Sequence, residues 1–410
     1  MITVAVLISS PPCLVEEGVP NPSPSEPSSI TGAVQDRDTL KPEDEPFRSV
    51  GPALTAGRIA DIAVHPRNPK IYYVAVASGG VWKTVNSGNT YNPIFDSQGS
   101  YSIGCVKLDP NNEHVIWVGT GENNNQRSVA YGDGVYRSLD GGKTWKNMGL
   151  KNSEHIGMIE IDPNNSNNIY VAAYGPLWKE GGERGLYFSN NGGKDWKLIL
   201  KTDENTGVNE VHLDPRNSSI IYATTHQRRR HVFTYIGGGL GSKIYKSSDS
   251  GKSWKELKNG LPSSIMGRIG MDISPANPDY IYALVEAENN KQGLYVSKDR
   301  GESWNKKNKY VTSGNYYQEV FCDPLNKHKV FFMDTWLHHT EDGGKTIVKT
   351  GEKSKHVDNH CIWIDPNDTD HWIVGCDGGI YETWDHASYW HYKPNLPITQ
   401  FYKVAVDNDW

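Results

Sequence analysis

Short apolar runs with a period of two recur along the chain, and each one leads into a turn signal. Ile161-Asp162-Pro163 precedes the run Ile169-Tyr170-Val171-Ala172, and Leu213-Asp214-Pro215 precedes Ile220-Ile221-Tyr222-Ala223. Proline fixes φ and removes a backbone donor, so it ends the first run and begins the turn. The second run has the Val, Ile and Tyr content of a half-buried strand. Comparable turns begin at His65-Pro66, Asp109-Pro110, Ser274-Pro275, Asp323-Pro324 and Asp365-Pro366.

A second pattern, the turn motif, returns seven times at intervals of 43 to 58 residues. It has Ser or Thr, then Asp or Asn two positions on, Gly two positions later and usually Trp three after that. The best copies span residues 138–145, 247–254 and 297–304, and looser copies span 84–91, 189–196, 340–347 and 383–390. A fixed period of this size indicates units that stack on their neighbours to bury an apolar face.

A third strand-like run precedes each turn motif, as at residues 134–138 and 293–297, and a fourth follows it from the Trp onward. Each unit therefore contains four short antiparallel strands. This is the pattern of a propeller blade, and the chain shows no sustained helical period. The sequence therefore predicts an all-β fold, a β-propeller of about seven four-stranded blades over residues 47–410.

The turn motif has a structural interpretation. Its hydroxyl and carboxylate can accept from backbone N–H groups of the same turn, Gly supplies a positive φ, and the Trp is expected to cover the hairpin against the next blade. Seven calcium sites are the alternative. Calcium takes six or more oxygen ligands and each turn offers one carboxylate, so the structural interpretation is favoured.

Composition and charge exclude some classes of function. The 410 residues are 36% hydrophobic with a formal charge of −6, which gives no support to a nucleic-acid partner. Residues 1–46 are rich in Pro, Ser, Asp and Glu and are predicted to be a disordered leader or linker. The apolar residues 1–8 are too short to span a membrane and resemble an incomplete signal peptide. The basic run at residues 228–231 is interpreted as a solvated loop or a local salt-bridge partner.

Four cysteines follow the leader, and their spacing fits no metal site. Cys361 and Cys376 fall on successive predicted strands and can face each other, either as a disulfide or as buried free thiols. Residues 396–407 repeat the form of a first strand. They either close the ring against residues 47–54 or begin an eighth unit, and the second interpretation makes the chain the first propeller of a longer protein.

The turn motifs, with Gly57-Arg58-Ile59, residues 77–84 and residues 132–136, resemble the Asp-box (BNR-type) β-propellers. That group includes sortilin-type receptors, xyloglucanase-type glycoside hydrolases and many secreted bacterial proteins. The resemblance implies an extracellular or periplasmic module that binds a glycan or a protein. The alternative that it implies is a xyloglucanase-type glycoside hydrolase whose second propeller is missing. These motifs are specific for the fold and weakly specific for function.

Two members of this group fit the residues less well. Sialidases have six blades and an Arg-Ile-Pro element, whereas this chain has Gly57-Arg58-Ile59-Ala60. Xyloglucanases place a catalytic Asp directly before a Gly-Gly pair of the first blade, and this chain has Ser78 there.

Ligands of propellers normally meet the face opposite the turn motifs, where first strands begin and second strands end. The polar and aromatic residues at these places are Arg58, His155, Arg268, Tyr316, Asp358, His360, Ser78, Glu122, Gln227, Arg228, Glu286, Asp334, Trp336 and Asp377. They either bind a glycan or peptide or line a wet channel. The predicted ligand-binding set is Arg58, Glu122, Arg127, Arg228, Arg268, Trp336, Asp358 and His360.

Acid–base and metal chemistry have a few candidates. Glu122, Asp358 and Asp377 are the catalytic candidates, and Glu122 is expected to be exposed and paired with Arg127 unless it lies buried beside an apolar wall. His356, Asp358 and His360 alternate on one side of a strand, with His338-His339 one blade earlier. The outer pair is ~13 Å apart on a straight strand, so pairing with neighbouring carboxylates is favoured. The sequence predicts no metal and no cofactor.

Overall fold

The computed structural model describes residues 57–399 and two short strands, Val4–Ala5 and Ala405–Val406, which pair antiparallel. Within residues 57–399 the chain forms seven four-stranded antiparallel sheets, and in each sheet the strands pair in the order in which they occur along the chain. The predicted all-β propeller of seven blades is confirmed. None of the described helices has the length and apolar content needed to cross a bilayer. Apart from the two short strands, the predicted leader (1–46) and residues 47–54 and 400–407 lie outside the described residues.

The blades are numbered in chain order. Blade 1 contains Ile59–Val64, Tyr72–Val76, Gly80–Thr84 and Asn92–Pro93; blade 2 contains Ile103–Asp109, Asn112–Thr120, Val135–Ser138 and Lys146–Gly149. A 3-10 turn, Lys151–Ser153, leads into blade 3, which contains Ile156–Ile161, Ile169–Ala173, Gly185–Ser189 and Lys197–Leu200.

Blade 4 contains Thr206–Asp214, Asn217–Gln227, Lys243–Ser247 and Lys255–Glu256, with an additional hairpin of Arg229–Arg230 and Tyr235–Ile236 after its second strand. Blade 5 contains Met266–Ile273, Ile281–Ala287, Gly293–Ser297 and Asn305–Asn308. Blade 6 contains Val320–Cys322, Val330–Phe332, His338–Thr340 and Val348–Lys349; blade 7 contains Asn359–Asp365, Asp368–Cys376, Gly379–Thr383 and His391–Tyr392.

The hydrophobic core is divided among the contacts between neighbouring blades. Trp117 of blade 2, for example, packs in one cluster with Ile156 and Ile169 of blade 3. The ring closes in the same way, because Ile59 of blade 1 shares a cluster with Ile373 of blade 7. Leu396 and Ile398 belong to this closing cluster, so residues 396–399 follow blade 7 onto blade 1. Whether residues 400–407 begin an eighth unit remains a prediction.

The turn motif has the predicted hydrogen bonds. In blade 2, Ser138 donates to the carboxylate of Asp140 at 2.8 Å and accepts from Gly142 N at 2.9 Å, while Thr144 N donates to the same carboxylate at 2.9 Å. Asp249 is held similarly in blade 4, where the bonds from Ser253 lower its pKa to about 2. The carboxylates thus stabilise their own turns by accepting hydrogen bonds, as expected.

The motif tryptophans pack on the preceding blade, so the expected cover against the next blade was wrong. The indole of Trp145 donates to the carbonyl of Ile94 in blade 1 at 2.6 Å, and Trp196 donates to that of Met148 in blade 2 at 2.7 Å. Trp254 repeats this arrangement on blade 3. The reason is that each of these motif turns lies next to the outer strand of the preceding blade, so its indole reaches a carbonyl of that blade.

The turn motifs define one face of the propeller, the motif face. Each motif turn bonds to residues at or just before the start of the second strand of its own blade, as when Gly141 N donates to His114 O at 2.9 Å. Because the strands alternate in direction, the loops after the second strands and the links between blades lie at the other end, the opposite face.

Candidate functional site

A loop of blade 2 crosses the central opening on the opposite face. This plug loop, residues 122–126, follows the second strand. Asn125 N donates to Asn315 O in the link before blade 6 at 2.9 Å, and the guanidinium of Arg230 donates back to Asn125 O at 2.6 Å. His155, before blade 3, donates to Glu122 O at 2.8 Å. One loop therefore holds residues from several blades together over the opening.

Five side chains beside the plug loop form the mouth network: Arg58, Glu122, Tyr316, His360 and Asp377. Arg58 forms ion pairs with both carboxylates, donating from Nε to Asp377 at 2.9 Å and from Nη1 to Glu122. Tyr316 and His360 complete the shell of Asp377 at 2.7 and 2.8 Å. The guanidinium of Arg58 also lies 4.7 Å from the ring centre of Tyr316. The network therefore joins blades 1, 2 and 7 and the link before blade 6.

Within the mouth network, the neighbours of Asp377 and Arg58 hold both of these side chains in their charged forms. Burial alone would raise the pKa of Asp377. The hydrogen bonds from His360 and Tyr316 and the charge of Arg58 outweigh burial, so the pKa of Asp377 lies well below its usual range. Burial acts to lower the pKa of Arg58, and Glu122 and Asp377 reverse that shift. Asp377 is thus an ionised acceptor at neutral pH, suited to binding cations or donors rather than to giving up a proton.

The predicted metal candidates have separate partners. Asp358 accepts from the hydroxyl of Tyr317, whose ring stacks on His360 with centroids 5.6 Å apart. His356 Nδ1 donates to Val357 O at 2.6 Å, and His360 belongs to the mouth network. Among the described residues the ligand atoms that do converge belong to another group, His339, Glu341 and His386.

The structure places the predicted ligand-binding residues in two environments. Arg228 and Arg268 are 0% and 1% exposed: Arg228 donates to Asn124 O at 2.7 Å and lies 3.3 Å from the ring centre of Tyr174, and Arg268 pairs with Glu319. Burial lowers the pKa of Arg228 to about 9. Trp336 and Arg127, in contrast, are exposed to solvent.

The expected pairing of Glu122 with Arg127 is wrong. Glu122 is only 2% exposed, because the plug loop turns its side chain inward to Arg58 and Asn124. The basic run is also not wholly solvated: Arg228 is buried, and Arg229 pairs with Glu180 at 2.8 Å. Ser78 is exposed, while Gln227, Glu286 and Asp334 accept hydrogen bonds from Gly241, Arg268 and Tyr310.

Under the plug loop, first strands enclose a central channel of about 430 Å³ that extends to the motif face. Its charged lining is mostly acidic: Asp61, Glu160, Glu210, Asp272 and Glu319 face Lys107 and His212. Burial raises the pKa of Asp61 to about 6, although Val106 N donates to it at 2.9 Å. The sequence analysis missed these residues. Their signal was a charged residue two or four positions before a turn, in a strand that is otherwise apolar.

The four cysteines that the structure describes, Cys105, Cys322, Cys361 and Cys376, are free and buried. Cys361 is opposite Gly375 and Cys376 is opposite Asn359 in the strand pair of blade 7, so the two thiols do not face each other. The free-thiol alternative for Cys361 and Cys376 is therefore the one observed.

Large exposed side chains collect on the opposite face of blades 2 to 4. The exposed fractions are 73% for Tyr131, 45% for Trp178, 79% for Val232, 98% for Phe233 and 47% for Tyr235. The last three belong to the additional hairpin of blade 4. We call these five residues the aromatic rim. Sequence reasoning did not select them, although an apolar pair inside the polar segment after Arg230 was the available signal.

Comparison with known proteins finds partial sequence similarity to two groups of propellers. The family model described as "Sortilin, neurotensin receptor 3" matches residues 184–335. Sortilin of Rattus norvegicus is 28% identical over 243 residues, which is 56% of this chain and 26% of sortilin. A xyloglucanase of Hypocrea jecorina is 21% identical over 418 residues, covering 83% of this chain and 49% of the enzyme.

A solved structure shows the same fold. The GH74 xyloglucanase from Xanthomonas campestris superposes with a TM-score of 0.61 at 14% identity, covering 82% of this chain and 54% of that enzyme. The chain thus resembles sortilin and the GH74 xyloglucanases, as the sequence analysis predicted. It spans about a quarter of sortilin and about half of the xyloglucanases, so the activities of those whole proteins are not transferred by similarity alone.

Proposed function

We propose that this propeller is a recognition module that binds a protein or peptide ligand on its opposite face, with the aromatic rim as the contact surface. The observation that carries the proposal is Phe233, which is 98% exposed beside Val232 in the loop of the additional hairpin of blade 4. Exposed apolar side chains grouped on one face are typical of interaction sites, and aromatic residues often supply most of the binding energy.

The chemistry of the mouth supports recognition over catalysis. Arg58 pairs with Glu122 and Asp377, Arg268 pairs with Glu319, and Asp377 accepts hydrogen bonds from Arg58, Tyr316 and His360. A mouth network whose side chains already bond to one another suits a protein that binds its ligand at the aromatic rim. The name of the sortilin group, a neurotensin receptor, is consistent with a peptide ligand.

A selection experiment tests the proposal. A peptide-display library is panned against the immobilised chain, and the selected peptides are titrated against variants. Phe233→Ala is expected to weaken binding at least tenfold, since truncation of an aromatic anchor costs about 2 kcal/mol or more. Tyr389→Ala is the matched control, because Tyr389 is 60% exposed and lies on the motif face. Peptides that bind the Phe233→Ala variant as tightly as the parent contradict the proposed surface.

The second candidate is a glycoside hydrolase of the xyloglucanase type. It is favoured by the similarity over 83% of the chain and by Arg58, which brings Glu122 and Asp377 to one guanidinium. Glycosidases use two carboxylates about 5 to 10 Å apart, one of them as an acid. An assay of the chain on xyloglucan tests this candidate. Hydrolysis by the parent chain that is abolished in both Glu122→Gln and Asp377→Asn establishes this function in place of recognition.

A further inference from the structure

Three metal-ligating side chains meet on the motif face between blades 6 and 7. His339 is the middle residue of the third strand of blade 6, Glu341 lies in the turn motif that follows this strand, and His386 lies in the turn motif of blade 7. One ligand atom from each lies within 4.8 Å of the other two. The two imidazole centres are 5.6 Å apart with the rings at 86°. The group is separate from the mouth network and the aromatic rim, which lie on the opposite face.

Both imidazoles have a second partner that orients them. His339 Nδ1 is 2.8 Å from the hydroxyl of Thr350, which leaves Nε2 as the nitrogen available for a ligand. His386 Nε2 is 3.6 Å from the carboxylate of Glu341, and its Nδ1 is 3.4 Å from Asp370. A hydrogen bond on the second ring nitrogen is the usual support of metal-binding histidines.

The seventh turn motif departs from the repeat in its sequence, at Ala387. His386 and Ala387 both have positive φ, 55° and 64°, and the position of Ala387 is glycine in the six other turn motifs. Positive φ at the position of His386 is common to the motif, since Ser87, Ser250 and Arg300 share it, so the strain peculiar to the seventh turn lies at Ala387. The seventh turn therefore keeps the backbone conformation of the motif while presenting an imidazole towards blade 6.

One neighbouring group opposes a cation. The ammonium of Lys329 is 3.1 Å from His386 Nδ1 and 3.6 Å from Asp323. When Lys329 donates to Nδ1, the neutral ring carries its proton on Nε2. Metal binding at Nε2 requires the other tautomer, in which the proton is on Nδ1 and is donated to the carboxylate of Asp370. Lys329 then loses its contact with His386 but keeps its ion pair with Asp323. Lys329 is therefore expected to weaken the site without blocking it.

We propose that His339, Glu341 and His386 bind a zinc ion that links blades 6 and 7. Two imidazoles and one carboxylate suit Zn²⁺ and similar transition metals, whereas Mg²⁺ and Ca²⁺ prefer oxygen ligands. Three protein ligands leave a fourth position for water or for a donor from a ligand. Glu341 has a side chain that is 60% exposed, so the site is open to solution.

Calorimetric titration of the untagged, chelator-treated chain with Zn²⁺ tests this site, with Co²⁺ as a spectroscopic probe. We expect one ion per chain and visible Co²⁺ absorption typical of four-coordinate binding. His386→Ala and Glu341→Gln are expected to weaken binding by roughly 100-fold and 10-fold, in line with the loss of ligands. Lys329→Met is expected to tighten it. His231→Ala, an exposed histidine of blade 4, is the control and leaves the affinity unchanged.

The expected opposite signs of Glu341→Gln and Lys329→Met distinguish the site from general loss of folding, because both variants change charges at the same place. Glu341 is exposed, so its variant keeps the fold. Failure of the parent to bind Zn²⁺ below millimolar concentration overturns the proposal. So does Zn²⁺ binding that His386→Ala and Glu341→Gln leave unchanged.

Discussion

The seven turn motifs and the mouth network both fix carboxylates with donated hydrogen bonds, but over very different separations along the chain. In the motif of blade 2, the donors to Asp140 lie two to four residues away. In the mouth network, Arg58 reaches Glu122 across 64 positions and Asp377 across 319 positions. A motif therefore can form within its own hairpin, whereas the mouth network exists only when the ring has closed.

This difference separates architecture from individual chemistry. The motif is repeated because every blade must make the same hairpin, and its residues are largely committed to that turn. The mouth network, the aromatic rim and the histidine pair between blades 6 and 7 each occur where one blade departs from the others. Departure from the repeat is thus a better guide to function in this chain than the repeat itself.

The largest expected effect comes from removing a long-range ion pair of the mouth network. Arg58→Met leaves the buried carboxylate of Glu122 without its cation, and removal of one partner of a buried pair costs about 3 to 5 kcal/mol. We expect that decrease in the free energy of unfolding, measured by denaturant titration. Because the damage includes an unpaired charge, Arg58→Met with Glu122→Gln is expected to lose less than the sum of the two single variants.

Arg67→Met is the control for this prediction. Arg67 also pairs with a glutamate, Glu113, but its side chain is 77% exposed. Exposed ion pairs contribute little because water and salt screen them, so its stability is expected to stay at the parent value. Equal losses from Arg58→Met and Arg67→Met contradict the structural role of the mouth network.

The second prediction concerns pH at the opposite face. His226 is fully buried, with Nδ1 at the hydroxyl of Tyr174 and Nε2 at 3.2 Å from Gly237 O. Burial lowers its pKa to about 3, below the value of about 6.5 in the unfolded chain. The unfolded state therefore binds the proton first as the pH falls, so the stability from this group is complete above pH 6.5 and is lost towards pH 3.

At pH 5 this loss amounts to about 2 kcal/mol, from roughly 1.4 kcal/mol per pH unit. His226→Gln is expected to remove that part of the slope of unfolding free energy between pH 6.5 and 5. His231→Gln, at an exposed position in the same blade, leaves the slope unchanged. Channel carboxylates act in the opposite sense, since burial raises the pKa of Asp61 to about 6. An unchanged slope in His226→Gln shows that the histidine is protonated in the fold.

The sequence predicted the parts of the fold that each blade repeats. The turn signals and apolar alternation around Ile161 and Leu213 identified the strands, because local propensity and burial agree there. The turn motif identified the hairpins for the same reason. The direction in which Trp145 leans was missed, since it depends on the position of the preceding blade and not on the hairpin itself.

The candidate site was predictable only in part. Arg58, Tyr316, His360 and Asp377 were identified from their places at strand ends, and they do lie together. Whether they bind a ligand remains a prediction. Pairing was not predictable: Glu122 lies closer in sequence to Arg127 than to Arg58, and only the plug loop decides between them.

The third prediction tests the local side of the comparison. Ser138 is buried and bonds both to Asp140 and to Gly142 N, so Ser138→Ala is expected to cost about 1 kcal/mol of unfolding free energy. Ser247→Ala is expected to cost the same, because the motif of blade 4 has the same bonds. Ser248→Ala, next to it and exposed, is the control. Unequal losses at Ser138 and Ser247 indicate that the motifs are not independent local devices.

The smallest expected effect concerns the one motif that lacks glycine at its fifth position. Ala387 has a φ of 64°, and the other six motifs have glycine there. Ala387→Gly relieves about 1 kcal/mol of backbone strain but gives back part of it as chain entropy, so we expect a gain of about 0.5 kcal/mol in unfolding free energy. Gly344→Ala is the reciprocal variant in blade 6, where a Cβ meets Leu294 at 2.5 Å and a loss is expected. A loss from Ala387→Gly instead means that the methyl group of Ala387 contributes more through its packing beside Trp390 than its backbone costs, and that the seventh turn has become a packed variant of the motif rather than a strained one.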